Sequence, residues 1–184
     1  MSLFLIFRFC FIIELKVSFC KIRTRFHIIL VSKNLLTEVS KMKLSSIEFE
    51  HEGTIPEKFT CDGEDISPSL MIEEVPEGTK RLALIVDDPD APAGTWVHWI
   101  VFNIHVVDVI EEDEIPGTQG TNDFRKLNYG GPCPPLGTHR YFFKLYALDT
   151  KLDLEEGCHK KDLLKAMEGH ILEEVELIGL YQRK

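Results

Sequence analysis

The chain has 184 residues, of which 44% are hydrophobic and 28% are charged, and this composition is typical of a globular protein rather than a disordered or fibrous one. The length favours one domain with a sizeable core. The formal net charge of −9 argues against duplex DNA as a partner, because its phosphates require a basic surface, and we expect no nucleic-acid partner.

Residues 1–41 differ from the rest of the chain in charge and hydropathy. They carry seven basic and two acidic side chains, a net of +5, which leaves about −14 for the remainder. The segment is apolar, but Arg8, Glu14 and Lys16 interrupt it, so no run of about 20 apolar residues is present for a membrane span. Three interpretations stay open, in order of preference: a leader or misassigned start upstream of Met42, a membrane anchor, and a signal peptide. The predicted domain is therefore 42–184.

The five cysteines predict no structural metal site, because none of them has the spacing of zinc ligands. The default expectation is a cytoplasmic protein with reduced thiols, a membrane anchor through residues 1–41 being left open. We expect neither a metal nor another cofactor. The cysteines are Cys10, Cys20, Cys61, Cys133 and Cys158.

The first strong element is the apolar run "LALIVDD" at 82–88, which predicts a core strand ended by an acidic turn. In that turn, prolines follow Asp88 and Ala91 and hold the carboxylates of Asp88 and Asp90 in restricted positions. Such rigidity suits a binding site. The alternative is an ordinary stiff turn whose aspartates cap backbone amides.

The next predicted strand, "WVHWIVFNI" at 96–104, is rich in aromatic and β-branched residues. His98 follows Asp90 by eight residues, so a hairpin can return it beside the acidic turn, where a carboxylate would make it a better donor to an anion. The alternative is a core histidine bonded to a backbone carbonyl. Alternation at period two would place five side chains on one face: Trp96, His98, Ile100, Phe102 and Ile104.

A long segment at 117–139 is rich in Gly, Pro and Asn and predicts an irregular, ordered loop of functional character. The amides of Gly130 and Gly131 can approach a ligand closely, and Pro134 and Pro135 can form an apolar wall. A plain connection between strands is the alternative for this loop.

A third strand is predicted at 139–149, and it also begins with a histidine on a face that is otherwise apolar. His139 and Tyr141 are one pleat repeat apart, about 6 to 7 Å, so both can donate to one small anion. Residues 159–170 predict a short helix that stops at Gly169, and 175–181 predict a final strand. The fold class is thus mainly β, with two packed antiparallel sheets and one or two short helices near the C-terminus.

These motifs resemble the phosphatidylethanolamine-binding protein family, also called the Raf kinase inhibitor protein family, in its bacterial and archaeal branch. The matching segments cover nearly all of 42–184 and include "DDPDAPAGTWVHWIVFNI" at 87–104 and "NDFRKLNYGGPCPPLGTHRYFFKLYALD" at 122–149. Further matches are "IPEKFTCDGEDISPSL" at 55–70 and "GHILEEVELIGLY" at 169–181. The resemblance implies an antiparallel β-sandwich with a small anion pocket at one end.

Carried over by position, the resemblance implies nine pocket residues: Asp88, Asp90, Pro92, Trp96, His98, Gly131, Pro135, His139 and Tyr141. It also allows cis peptide bonds before the prolines of the acidic turn. The short "AGT" segment before Trp96 replaces a longer wall of the eukaryotic members, so the ligand class stays open. Cys61 and Cys133 both lie in shared segments beside this pocket, where we still expect reduced thiols.

The expected function is binding of a small anion, such as phosphate or a phosphoryl or carboxylate headgroup. The resemblance implies a ligand-modulated inhibitor of a kinase or protease, with a homodimer as one option for the prokaryotic branch. The alternative is a hydrolase in which Asp88, His98 and His139 perform acid-base or metal-assisted chemistry. We favour binding without catalysis, because no Ser or Cys nucleophile lies in a recognisable elbow.

Overall fold

The structure is a computed structural model that describes residues 41–184. The interpretations of the N-terminal extension at 1–41 fall on residues of which all but Lys41 lie outside that range. Within it, the chain forms nine strands, one α-helix and a 3-10 turn. In chain order these are β1 Lys43–Ser45, β2 Gly53–Thr54, the 3-10 turn Glu57–Phe59, β3 Leu70–Glu73, β4 Arg81–Asp88, β5 Trp96–Ile104, β6 Val109–Ile110, β7 Thr118–Gln119, β8 Thr138–Leu148, α1 Lys160–Met167 and β9 Ile171–Gln182.

The strands form two sheets, and the mainly β fold predicted from the sequence is confirmed. The smaller sheet has the order β1-β3-β6, and the larger has the order β2-β9-β8-β4-β5-β7. All strand pairs are antiparallel except β2 with β9. The final strand begins at Ile171, four residues before the predicted strand at 175–181.

Strand β4 is apolar on both faces because it lies between two separate hydrophobic clusters. The cluster between the sheets includes Leu84 of β4 and Ile72 of the smaller sheet. The second cluster covers the opposite face of the larger sheet and joins Ile85 to Leu163 and Met167 of α1. An uninterrupted apolar sequence is what a strand covered on both faces requires.

Helix α1 forms where the sequence predicts it and is closed at both ends by local features. The His159 backbone amide donates to Asp162 at 3.2 Å, which satisfies one free group at the N-terminus. Gly169 has φ of +79° just beyond the C-terminus, a conformation that favours glycine. No helix among residues 41–184 is long and apolar enough to cross a bilayer.

The state of two cysteines differs from the sequence-based expectation, and the cis peptide bonds that the resemblance allows are not present in the described residues. Cys61 and Cys133 form a disulfide, whereas we expected reduced thiols. The sequence separation of the two residues concealed the pairing, which depends on how the loops at 57–65 and 129–137 pack together. All peptide bonds within residues 41–184 are trans, including those in the acidic turn.

Candidate functional site

A cavity of about 300 Å³ opens at the end of the larger sheet where β4 finishes and β5 and β8 begin. Its walls are mostly apolar, and four side chains bring polar groups to it. The lining residues are Asp88, Ala91, Pro92, Ala93, Trp96, His98, Phe124, Cys133, Pro135, His139 and Tyr141.

Strand pairing explains why residues distant in sequence meet at this cavity. Asp88, the last residue of β4, pairs with Trp96, the first residue of β5. On its other side, the preceding residue Asp87 pairs with Phe142 of β8. The acidic turn therefore lies between the starts of β5 and β8, which carry the two histidines.

His139 and Asp88 form a buried pair in the cavity wall. The Nδ1–H of His139 donates to Asp88 Oδ2 at 2.7 Å, and both side chains are less than a tenth exposed. Asp88 Oδ1 accepts a hydrogen bond from the Asp90 amide at 2.8 Å. With its carboxylate held by two donors, Asp88 fixes the His139 ring and leaves Nε2 as the ring's free polar atom within the described chain.

His98 is oriented by the loop that precedes β8. Its Nδ1–H donates to the Gly130 carbonyl at 2.6 Å, and the Gly130 amide donates back to the His98 carbonyl at 3.1 Å. Burial lowers the pKa of His98, and this effect outweighs the Gly130 carbonyl and the Asp88 charge, which act in the opposite direction. The neutral ring therefore carries its proton on Nδ1 and presents Nε2 as an acceptor.

Three aromatic rings surround the His98 imidazole and the cavity. The His98 ring meets Phe124 and Tyr141 edge to face, with centroids 5.3 and 5.2 Å away. Phe124 also packs edge to face on Trp96 at 5.5 Å. These rings keep the imidazole in a mostly apolar environment, which is the physical cause of its lowered pKa.

Tyr141 lines the cavity, and its buried hydroxyl has no hydrogen-bond partner among the described residues. Burial raises the pKa of Tyr141, with a smaller contribution from Asp88, so the hydroxyl keeps its proton. The Cys133 amide lies near this oxygen and acts in the opposite direction. A buried hydroxyl without a partner costs about 1 to 3 kcal/mol, so an acceptor in the cavity would be favourable.

Seven of the nine predicted pocket residues line the cavity, and Asp90 and Gly131 do not. Asp90 turns outward to the Arg140 guanidinium, at 2.7 and 2.9 Å, and this ion pair lowers the pKa of Asp90 to about 2. The Gly131 amide is engaged by Asp65 Oδ1 at 2.6 Å rather than directed at the cavity. The Asp90 carboxylate and the Gly131 amide thus each bond to another residue of the protein instead of facing the cavity.

Phe124 and Cys133 line the cavity but were not among the predicted pocket residues. Phe124 is an aromatic residue in an otherwise polar stretch, and that anomaly is the signal which points to it. Two small residues of the acidic turn, Ala91 and Ala93, also line the wall and carry no sequence signal. Within residues 41–184, no three His, Cys, Asp or Glu side chains are grouped closely enough to hold a metal ion.

Comparison with known proteins places this architecture in a family. The family model for phosphatidylethanolamine-binding protein matches residues 45–182. A UPF0098 protein of Methanothermobacter thermautotrophicus is 53% identical over 150 residues, covering 77% of this chain and 99% of the relative. A UPF0098 protein of Aquifex aeolicus is 47% identical over 152 residues, covering 77% and 89%.

Two solved structures share the fold. The crystal structure of a phosphatidylethanolamine-binding protein homologue from Chlamydia trachomatis is 44% identical, with a TM-score of 0.76, and the match covers 78% of this chain and 99% of that one. Escherichia coli YbcL, described as a member of the mammalian PEBP family, is 31% identical with a TM-score of 0.73, and the match covers 79% and 100%. The chain therefore belongs to the phosphatidylethanolamine-binding protein family.

Proposed function

We propose that the cavity binds a small anion, a phosphoryl or carboxylate group carried by a compact ligand. The observation that carries this proposal is the arrangement of His98 and His139. Each ring gives its Nδ1 to an acceptor of the protein, so each keeps Nε2 for a ligand. Two imidazoles fixed in this way converge on one cavity from separate strands.

The polar groups of the cavity can bind an anion when an imidazole carries a second proton. A protonated His139 presents Nε2–H to the ligand while the Asp88 carboxylate compensates the ring's positive charge. His98 can accept a proton from a phosphate monoanion or take one up when a dianion binds. The Tyr141 hydroxyl, buried behind the same wall without a partner among the described residues, would add a neutral donor if the ligand reaches it. This donor set matches the oxygens of a phosphoryl or carboxylate group.

The size of the cavity restricts the ligand to a headgroup or a small metabolite. Its volume of about 300 Å³ is at the lower end for small-molecule sites, and its apolar wall adjoins the polar groups. A phosphate monoester with a short substituent satisfies both features. The family resemblance extends the proposal to a ligand-dependent contact with a kinase or protease.

The test compares His139 with a histidine that forms a similar pair elsewhere. His170 donates Nδ1–H to Asp149 at 2.8 Å, but this pair is about half exposed and does not line the cavity. Binding of phosphoethanolamine and inorganic phosphate is measured by calorimetry at pH 6 and pH 8. We expect His139→Gln to weaken binding about 10- to 150-fold, the value of a charged hydrogen bond, and His170→Gln to leave it unchanged.

The pH dependence provides a second criterion in the same experiment. Affinity should be higher at pH 6, because the lower pH supplies the proton that allows an Nε2 to donate to the anion. Equal affinities in the wild type and both variants would overturn the proposed site. Failure of the wild type to bind either probe, checked by titration of the histidine ring signals in NMR spectra, would overturn the function itself.

A further inference from the structure

The Cys61–Cys133 disulfide lies in the wall of the cavity, since Cys133 is a lining residue. Both cysteines are in exposed positions, so a reductant can approach either sulfur. The bond joins the segment at 57–65 to the loop that carries Pro135 and leads into His139. It is therefore a covalent link between an accessible surface and the candidate anion site.

Hydrogen bonds hold the first part of that loop but stop short of the cavity wall. The Tyr129 hydroxyl donates to the Phe59 carbonyl at 3.0 Å, and the Cys61 amide donates to the Pro132 carbonyl at 3.1 Å. Beyond Pro132, no backbone–backbone hydrogen bond joins residues 133–137 to the rest of the described chain. Besides the packing of the buried Pro134 and the contact of the Cys133 amide with Tyr141, the disulfide is the cross-link that holds these five residues before β8 begins.

Proline and glycine alone do not replace this link. The prolines at 134 and 135 limit the local φ angles, but they supply no backbone donor. Leu136 is 87% exposed and makes little packing contact, and Gly137 has φ of +74°. Without the disulfide, the exposed residues Cys133 and Pro135 depend mainly on the buried Pro134 between them for their position.

We propose that the Cys61–Cys133 bond is a site of thiol–disulfide exchange with a dithiol reductant, and that its reduction weakens anion binding in the cavity. The second part rests on the proposed function. One thiolate of the reductant attacks a protein sulfur, and its second thiolate resolves the mixed disulfide. Two electrons pass to the protein, which gains two thiols, while the reductant becomes a disulfide.

The coupling follows from the position of the loop between both histidines. Its first part supplies the Gly130 carbonyl that orients His98, and its last residues lead directly to His139. A mobile wall must be ordered again when the anion binds, and that ordering reduces affinity. We expect reduction to weaken phosphoethanolamine binding about fivefold or more. By reciprocity, saturating ligand lowers the disulfide's reduction potential by about 20 mV for a fivefold effect.

The experiment uses the full chain with Cys10, Cys20 and Cys158 replaced by serine, so that the remaining thiols report on one bond. The protein is equilibrated in dithiothreitol redox buffers with and without phosphoethanolamine, and thiols are counted. Affinity is measured for the oxidised and reduced forms by calorimetry. In the same background, a Cys61→Ser/Cys133→Ser variant reproduces the reduced state, and the background protein with its disulfide intact is the control.

The outcomes separate this inference from the proposed function. Reduction under native conditions together with weaker binding in the reduced form and in the double variant supports the inference. A disulfide that resists the dithiol until the protein unfolds, as judged by near-UV circular dichroism, overturns it. Equal binding in both redox states also overturns it but leaves the proposed function intact. Absence of binding in the oxidised form rejects the coupling and the proposed function together.

Discussion

The buried carboxylate of Asp87 should contribute measurably to stability through two lysines from different parts of the fold. Asp87 has no exposed surface, and its oxygens accept hydrogen bonds from Lys144 of β8 at 3.0 and 3.2 Å and from Lys160 of α1. Each lysine side chain is about a quarter exposed. The cluster therefore joins the helix to the sheet one residue before the cavity aspartate.

We expect Asp87→Asn to lower the free energy of unfolding by about 2 to 4 kcal/mol. The substitution removes the charge that both ammonium groups share but keeps the side-chain volume. The loss of stability is smaller than for a fully buried charge without a partner, because both lysine side chains can turn toward water. Lys43→Gln, which removes the exposed partner of Glu74, serves as the control and should leave stability unchanged.

Urea unfolding followed by tryptophan fluorescence measures both variants with Trp96 and Trp99 as probes. A loss below about 1 kcal/mol in Asp87→Asn, at an unchanged denaturant slope, would refute the argument that this buried cluster stabilises the fold. A double variant that also carries Lys160→Met tests the link to the helix. Its effect should be less than additive, because both substitutions remove the same contact.

Three further predictions concern single sites. In an NMR titration, Asp90 should titrate at a pKa of about 2, and Arg140→Gln should return this pKa toward 3.8. Because the pKa of Asp90 is lower in the folded state, the ion pair stabilises the fold above about pH 4. This contribution is lost as the pH falls toward 2. Because the pKa of His98 is lowered in the folded state, acidification below pH 6.5 should destabilise the free protein. Phosphate binding should raise the pKa of His98 and cause proton uptake, which calorimetry in buffers of different ionisation enthalpy detects. Gly131→Ala should cost about 1 to 3 kcal/mol in urea unfolding, because its Cβ would lie 2.6 Å from the Phe59 carbonyl oxygen.

The long strands were predictable because each has a local signature that tertiary packing reinforces. The run at 82–88 is apolar throughout, and β4 lies between two hydrophobic clusters. Strand β8 alternates, with Tyr141, Phe143 and Leu145 in the cluster between the sheets. The helix was predictable from its spacing and its terminal glycine. In each of these elements, sequence pattern and burial agree.

The candidate site was less predictable, because the hydrogen-bond partners of its polar groups are distant in sequence and become neighbours only in the folded chain. Asp90 and Asp88 are two residues apart in one rigid turn, yet Asp90 pairs with Arg140 on the surface and Asp88 with His139 in the cavity. No local pattern distinguishes these outcomes. The same holds for Cys61 and Cys133, which are 72 residues apart.

Strand β5 shows most clearly why alternation alone was insufficient. Val86 pairs with Trp99 while Asp87 pairs with Val97, so His98 is an extra residue in a β-bulge. Ile100 and Phe102 consequently pack in the cluster beneath α1, whereas we expected them to share a face with His98. The expectation of one face for all five residues is wrong for this reason. A second register shift near Asn103, with φ of +56°, restores the orientation of Ile104.

The bulge at His98 and the irregular loop before β8 depend on each other. In a regular strand with Trp99 facing the cluster between the sheets, His98 would face α1 and never meet Tyr141. The bulge turns the ring to the cavity, and the His98 carbonyl then bonds with the loop: it accepts from the Gly130 amide and from Asn122 Nδ2, both at 3.1 Å. The loop can donate these hydrogen bonds only if it is ordered. Its glycine and asparagine donors therefore help to hold His98 in the orientation that the bulge gives it. An insertion or deletion in that loop should therefore disturb His98 before it disturbs the sheet.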